Sequence, residues 1–219
     1  MFADIARHYD AANHVLSLGL DFLWRDHLAC KIAAGPHRLV LDMACGTGDL
    51  SRAVRGAPGF GGTIVGVDFC APMLHAARRK GIPLLVAADC LRLPLPDGLA
   101  DAVVLGFGIR NFESVEASLR EMRRVLKPGG RVLILEFSQP RRWLAPFYRF
   151  YLRFFLPSAA WLITGNRKAY EYLGVTIRKF PGPEMLGSLM KKVGFRNCRY
   201  SLLSCGIVAI HDGQRPEAE

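Results

Sequence analysis

The polar residues with the clearest chemical meaning surround a short glycine loop. Gly46-Thr47-Gly48 follows an apolar run and precedes a segment of helical pattern. Glycine is needed where a chain turns sharply and where a ligand lies against the backbone. Asp68 ends the next apolar run, 20 residues after Gly48, and a carboxylate there can accept both hydrogen bonds of a ribose diol. The pattern predicts a nucleotide-type cofactor, with a simple turn and a capping aspartate as the alternative.

Further acidic residues accompany the loop. The third glycine of the dinucleotide fingerprint is absent after Gly48, which argues against a pyrophosphate cofactor. Asp42 and Asp49 flank the loop, and either could attract a cationic ligand or act as a helix N-terminal charge. Asp89 and Cys90 follow a third apolar run. Asp89 suits an adenine amino group, with a solvent-facing turn residue as the alternative.

These residues are expected at the ends of strands in an alternating pattern. Strands are predicted at 38–44, 63–68, 84–88, 101–107 and 131–137, and helices at 49–55, 71–80, 115–126 and 185–193. Such alternation implies right-handed βαβ units and a parallel sheet covered by helices. Residues 199–203 and 206–210 are predicted to form a terminal antiparallel pair. Residues 1–35 read as a helical cap, and residues 141–180 as a helical, aromatic insertion over the active site.

Composition limits the class of protein. The 219 residues, about half of them hydrophobic, fit one domain over 1–219. A net charge of +10 suits nucleic acid, anionic lipid, a phosphorylated substrate or merely a solvated surface. The six cysteines form no CxxC pair, so no metal site is expected. No secretory signal pattern is visible, which favours a cytoplasmic chain. The longest uncharged stretch, at 154–166, has 13 residues, whereas a membrane span needs about 20.

Several segments together resemble a known family. Gly-x-Gly after the first strand, an acid after the second, Ala-Asp after the third and Leu-Lys-Pro-Gly-Gly before the fifth resemble class I S-adenosylmethionine methyltransferases. Segments 9–25 and 124–138 resemble the two signatures of the UbiE/MenG quinone C-methyltransferases, and Phe107-Gly108-Ile109-Arg110-Asn111 resembles the segment after their fourth strand. The resemblance covers nearly the whole chain. It implies an α/β, Rossmann-like, seven-stranded sheet, mostly parallel with a C-terminal antiparallel strand and helices on both faces.

The resemblance also implies a cofactor and its ligands. S-adenosylmethionine would be held by residues of the loop and of the strand ends: Asp42, Gly46, Thr47, Gly48, Asp68, Phe69, Asp89, Cys90 and Gly106. Gly106 stands where some relatives carry a serine that touches the cofactor, so one contact is expected from backbone instead. Tyr9, Asp10 and Asn13 would close over the methionine end. Arg110, Asn111 and Tyr9 are the expected catalytic residues.

The implied reaction is methylation of a ring carbon of a polyprenylated quinol, either demethylmenaquinol or the ubiquinone-pathway benzoquinol. A quinone ring is electron-poor and would not attack, so the acceptor must be the reduced quinol. Arginine is effectively never deprotonated. Arg110 is therefore expected to stabilise the quinolate rather than to act as a base, with a structural salt bridge as the alternative.

The sequence leaves several roles open for the aromatic insertion at 141–180. Its aromatic residues suit a lid for the prenyl chain, an ordinary core stripe or peripheral contact with the inner face of the membrane: Trp143, Phe147, Tyr148, Tyr151, Phe154, Phe155 and Trp161. Rival functions are a lipid N-methyltransferase, another small-molecule methyltransferase and a non-catalytic cofactor-binding protein. No nucleic-acid partner is expected, because the chain lacks the Asn/Asp-Pro-Pro-aromatic motif of base-modifying enzymes. The sequence leaves open whether the chain is a monomer or a homodimer.

Overall fold

One mixed sheet organises the chain. The computed structural model describes residues 9–156, 174–177 and 180–217, in which seven strands lie in the order β3-β2-β1-β4-β5-β7-β6. The strands are β1 Leu39–Met43, β2 Thr63–Asp68, β3 Leu85–Ala87, β4 Ala100–Gly106, β5 Leu126–Phe137, β6 Arg196–Leu203 and β7 Val208–Gln214. Strands β1 to β5 pair in parallel, and β7 runs antiparallel to both β5 and β6. The expected Rossmann-like fold class is confirmed.

Two helices precede β1, and the others fall between strands. They are α1 Tyr9–Leu16, α2 Leu20–Ala33, α3 Asp49–Gly56, α4 Ala71–Arg79, α5 Val115–Val125, α6 Ala145–Phe150 and α7 Pro183–Lys192. One difference from the predicted N-terminal helical stretch is a turn between α1 and α2. Leu18 and Gly19 there have left-handed φ angles of 54° and 75°, and a helix cannot continue through such residues.

A second difference lies at the start of β5. Leu126 pairs with Ala100 and Arg131 pairs with Ala102, so residues 127–130 bulge out of a strand that begins earlier than predicted. A bulge of this kind adds residues to one strand without disturbing the pairing on either side. The Lys-Pro-Gly-Gly segment therefore lies within β5 instead of separating a helix from a strand.

Apolar layers cover both faces of the sheet. Val40 of β1 packs in a layer with Leu28 of α2, while the neighbouring Leu41 packs in the opposite layer with Leu119 of α5. All four side chains are essentially inaccessible to solvent. Adjacent residues of a strand point to opposite faces, and burial of such a side chain contributes about 1.5–3 kcal/mol. Burial on both faces explains the continuous apolar runs of the sequence.

Part of the aromatic insertion is described. Helix α6 has no buried residue and continues into a π-helical segment at Tyr151–Phe155. Residues 157–173 and 178–179, which include the predicted Trp161, lie outside the described residues. Within the described part of the insertion, residues 145–156 and 174–177 are helical and residues 141–144 are not.

Candidate active site

The glycine loop follows β1, at the edge of the sheet where the carboxyl ends of the parallel strands meet. Ligands of open α/β sheets bind at this edge. Gly46 and Gly48 have φ angles of 54° and 82°. A Cβ on Gly48 would come within 2.9 Å of Ile82 and 3.1 Å of Ala77, whereas a Cβ on Gly46 would meet nothing within 4 Å. Gly48 is therefore required by packing against α4, and Gly46 is the glycine whose backbone is open to a ligand.

Asp68 lies directly behind this open backbone. Its Oδ2 accepts a hydrogen bond from the Gly46 N–H at 2.8 Å, and its Oδ1 accepts one from the Cys70 N–H at 2.9 Å. Burial raises the pKa of Asp68, and the backbone donors partly oppose that rise. A carboxylate has about four acceptor positions, so capacity for further donors remains. The neighbouring Phe69 ring is 72% exposed, and a planar base could stack on it.

Asp42 is a fully buried carboxyl group inside β1. Its Oδ2 accepts a hydrogen bond from the Ser51 hydroxyl at 2.6 Å, and its Oδ1 has no partner among the described residues. Burial, the largest cause, raises the pKa of Asp42 to about 7. A cation placed against such a group would favour its charged form. Asp42 therefore fits the ammonium group of an amino-acid ligand.

The adenine-side residues are a turn residue and a buried thiol. Asp89 is exposed, and its Oδ1 accepts a hydrogen bond from the Leu91 N–H at 2.8 Å, as the turn alternative requires. Cys90 is buried, its Sγ accepts from the Ala44 N–H at 3.3 Å, and burial raises its pKa to about 12. The thiol therefore ties the segment after β3 to the glycine loop, and its burial disfavours the reactive thiolate form.

The segment after β4 is held by backbone strain and close packing. A Cβ on Gly106 would lie 3.1 Å from Cδ2 of Leu50, so a serine here requires Leu50 to move. Phe107 has a φ of 57°, a conformation that is rare for a bulky residue and is often found at functional sites. The turn continues to Asn111, which is partly exposed and whose N–H donates to the Gly108 carbonyl at 3.0 Å.

Arg110 belongs to a buried ion pair. Its Nη1 donates to Oε1 of Glu136 at 2.6 Å and to the Phe107 carbonyl at 2.5 Å, and its guanidinium carbon lies 5.1 Å from the centre of the Phe137 ring. Glu136 is fully buried and the Arg110 side chain is 6% exposed. The salt bridge considered as an alternative is therefore present. The Nε of Arg110 has no partner among the described residues, so the guanidinium retains a donor beyond the pair.

Glu136 and Lys80 are residues that the sequence reasoning missed. Glu136 lies within the second signature, and the available signal was a charged residue inside the apolar run of β5. Lys80 follows α4, and its Nζ lies 2.6 Å from Oδ2 of Asp10. Asp10 in turn accepts a hydrogen bond from the Thr47 hydroxyl at 2.6 Å, so α1 contacts the glycine loop. The side chain of Tyr9, the third expected catalytic residue, lies outside the described part of the structure.

The aromatic insertion presents two different sets of rings. Those with more than half of their surface exposed are Trp143, Phe147, Phe150, Phe154 and Phe155. Tyr148 and Tyr151 are partly buried and stack at 6.2 Å, and the Tyr151 hydroxyl donates to the Leu16 carbonyl at the end of α1. Burial raises the pKa of Tyr151 to about 12. No helix within residues 9–156, 174–177 and 180–217 is long and apolar enough to cross a membrane.

The fold and the chain both have known relatives. A solved S-adenosylmethionine-dependent methyltransferase of Thermotoga maritima matches with a TM-score of 0.69 at 19% identity, covering 98% of this chain and 100% of that one. One of Aquifex aeolicus matches with a TM-score of 0.62 at 17% identity, covering 94% and 97% of the two chains. At these identities the likeness shows the fold alone.

Similarity in sequence is stronger. The chain is 44% identical to the demethylmenaquinone methyltransferase of Thermus thermophilus, over 99% of this chain and 100% of the relative. It is 41% identical to the protein of the same name in Mycobacterium tuberculosis, over 99% of this chain and 91% of that relative. The profile of the ubiE/COQ5 methyltransferase family matches residues 1–215. The chain belongs to the ubiE/COQ5 methyltransferase family, and S-adenosylmethionine is its methyl donor.

Proposed function

We propose that this chain transfers a methyl group to a ring carbon of demethylmenaquinol. One observation carries the proposal: a cofactor loop with an open backbone lies beside a buried arginine ion pair. The loop follows β1, Arg110 follows the adjacent β4, and Glu136 lies in the next strand, β5. The relatives named for demethylmenaquinone, matched over nearly the whole chain, support the choice of acceptor. The ubiquinone-pathway benzoquinol is the second acceptor to test, because family membership alone does not separate the two rings.

The residues of the loop fit S-adenosylmethionine. Gly46 leaves its backbone open, Asp68 retains acceptor capacity for a ribose diol and the exposed ring of Phe69 suits a base. The unpartnered Oδ1 of Asp42 suits an ammonium group. Thr47 and Gly48, Asp89 and Cys90, and Gly106 complete the proposed set. When bound, this cofactor supplies an electrophilic methyl group on a sulfonium.

Arg110 is proposed to stabilise the negative charge of the acceptor. A preorganised hydrogen-bond donor beside a phenol stabilises the phenolate, which lowers the pKa of that phenol and makes the ring more nucleophilic. Arg110 is suited to this role because Glu136 and the Phe107 carbonyl fix its orientation and its buried Nε has no partner among the described residues. Asn111 and Tyr9 are proposed to position the ring, since holding the reacting atoms in line supplies much of the rate.

Two experiments test this function. Quinones extracted from cells lacking the protein should accumulate a species short of one methyl group by mass spectrometry, and the ring of that species identifies the acceptor. The Arg110→Lys variant should lose turnover while its affinity for S-adenosylmethionine is unchanged, because lysine keeps the charge but not the guanidinium geometry. An unchanged turnover number would exclude the proposed role of Arg110.

We also propose that α6 is the surface that meets the membrane from the cytoplasmic side. Within α6 the exposed rings of Phe147 and Phe150 accompany the exposed Arg149, and Arg141, Arg142 and Arg153 are exposed on either side of the helix. This combination is expected of a helix lying at an anionic lipid interface. Leu18, 79% exposed in the turn after α1, adds an apolar residue near the Tyr151 contact. Membrane contact would suit the proposed acceptor, because its prenyl tail is apolar and partitions into the bilayer.

Flotation with vesicles of mixed anionic and neutral lipid tests this surface. Wild type should float with the anionic vesicles at low salt, and the Phe147→Ser, Phe150→Ser double variant should not. A matched control is Phe69→Ser, which removes an exposed ring outside the insertion. Equal flotation of all three proteins would exclude α6 as the contact.

Light scattering during gel filtration would separately decide between a monomer and the homodimer that the sequence left open.

A further inference from the structure

Lys80 lies at the meeting point of three structural elements. Its Nζ is 2.6 Å from Oδ2 of Asp10 in α1, 2.6 Å from Oδ1 of Asp49 at the start of α3, and 3.0 Å from the Thr47 hydroxyl in the glycine loop. An ammonium has three donors and no acceptor, so these three oxygens satisfy it completely. The side chain is 24% exposed, which limits competition from water.

The contacts of Lys80 also orient Thr47. The Thr47 hydroxyl donates to Oδ1 of Asp10 at 2.6 Å and accepts from Lys80 at 3.0 Å. A hydroxyl engaged as both donor and acceptor has a fixed direction, whereas a free hydroxyl rotates. The carboxylate of Asp10 therefore contacts the loop with one oxygen and the ammonium with the other.

Position at a helix end does not explain these contacts. A cation near a helix C-terminus interacts favourably with the helix dipole wherever its side chain points. Arg78 and Arg79 occupy the same last turn, are exposed, and have no ion pair among the described residues. Lys80 alone of the three turns back toward the loop. Its placement is therefore specific to the two carboxylates and the hydroxyl.

We propose that Lys80 is a positioning residue of the cofactor site that holds α1 closed over the glycine loop. It acts through Asp10 and Thr47, without touching the cofactor. Asp10 and Asp49 each contact the same ammonium at 2.6 Å. Their nearest carboxylate oxygens are therefore separated by no more than the sum of these two distances. Without the ammonium, the carboxylates of Asp10 and Asp49 would repel each other at that range. Asp10 would then push α1 away from the glycine loop.

The surrounding charges indicate which carboxylate would move. Asp49 has a further cationic neighbour on α2, with its Oδ2 3.9 Å from Nη2 of Arg25, and Nε2 of His14 on α1 lies 3.8 Å from the same oxygen. Asp10 contacts no other cation among the described residues. Loss of Lys80 should therefore release α1 and Thr47 while leaving Asp49 and α3 in place.

Titration of S-adenosylmethionine into Lys80→Met, without any acceptor present, tests the proposal. We expect Kd to rise about 10- to 100-fold, the range for loss of a hydrogen bond to a charged group. Lys80→Arg should restore most of the affinity because it keeps the charge. The matched control is Arg79→Met, which removes the adjacent positive charge and should leave Kd within about twofold of wild type.

Amide hydrogen exchange separates positioning from a general loss of fold. In Lys80→Met, amides of α1 should exchange faster while those of β1 and β4 keep wild-type protection. Wild-type affinity in Lys80→Met, or equal loss of affinity in Arg79→Met, would overturn the proposal, and so would faster exchange across the whole sheet. The proposal depends only on the methyl donor, and both readouts omit the quinol. Failure of the proposed acceptor would therefore leave them unchanged.

Discussion

Asp42→Asn is expected to stabilise the protein above neutral pH and to weaken binding of S-adenosylmethionine. Asp42 is fully buried, and its Oδ1 has no partner among the described residues. Asparagine keeps an acceptor for the Ser51 hydroxyl, which now donates to Oδ2 at 2.6 Å. The substitution therefore removes a buried charge with little change in volume.

The magnitude follows from the pKa of Asp42. Burial raises it from 3.8 to about 7, and each unit corresponds to about 1.4 kcal/mol of free energy. Because the folded-state value is the higher one, stability is fully present below the unfolded value and is lost as pH rises to about 7. The total loss is about 4 kcal/mol, of which about 3 kcal/mol falls between pH 5 and pH 8. The buried asparagine amide costs about 1–3 kcal/mol at every pH.

Denaturant unfolding of both proteins at several pH values measures this effect. The free energy of unfolding of Asp42→Asn minus that of wild type should rise by about 3 kcal/mol from pH 5 to pH 8. Asp89→Asn, which removes an exposed carboxylate from the same edge of the sheet, should give a flat difference. Titration calorimetry should show wild-type affinity for S-adenosylmethionine falling as pH drops through about 7, with no such dependence in the variant. A flat difference for Asp42→Asn would refute the reasoning.

Two further predictions concern stability of the site. Gly48→Ala should lower the free energy of unfolding by about 1–3 kcal/mol through overpacking, because its Cβ would meet Ile82 at 2.9 Å. The left-handed φ of 82° adds a further cost. Gly46→Ala, with open space around its Cβ, should cost only its unfavourable φ in denaturant unfolding but should reduce cofactor affinity, and the reverse ranking of the two would contradict their assigned roles. Glu136→Gln should destabilise by about 3–5 kcal/mol, the range for breaking a buried ion pair, and a thermal unfolding midpoint equal to that of wild type would show that Arg110 does not depend on the pair.

The parts of the site that could be predicted from sequence are those whose chemistry is local. The loop glycines and Asp68 are recognised because strand, turn and acid follow one another at fixed spacing. Glu136 and Lys80 were missed because their partners are distant in sequence: Arg110 is 26 residues from Glu136, and Asp49 is 31 residues from Lys80. The local sequence around a helix end or within a strand does not indicate which distant charged side chain will contact it in the fold.

The two differences in the elements have different causes. The turn at Leu18 is local, since the N–H groups of Leu18 and Gly19 donate to the carbonyls of Val15 and His14. The bulge after Leu126 depends on a partner strand that the local sequence does not contain. Leu126 joins β5 because Ala100 of β4 is available to pair with it, although the intervening Pro-Gly-Gly reads as a break. Pairing between strands overrides local propensity when the partner is buried and already in register.

Asp42 and Arg110 show two different uses of buried charge within one site. Arg110 is balanced by Glu136, with a hydrogen bond to Phe107 as well, so its charge is compensated within the fold and its orientation is fixed. Asp42 retains an oxygen with no partner among the described residues, and the Ser51 hydrogen bonds and the charge of Arg25 offset only part of the cost of burying its charge. Burial of an uncompensated carboxylate destabilises the fold, and a ligand that supplies the missing charge recovers that free energy as affinity. In the proposed role of Asp42, the instability predicted above neutral pH and the preference for a cationic ligand have one cause, and the two effects should disappear together in Asp42→Asn.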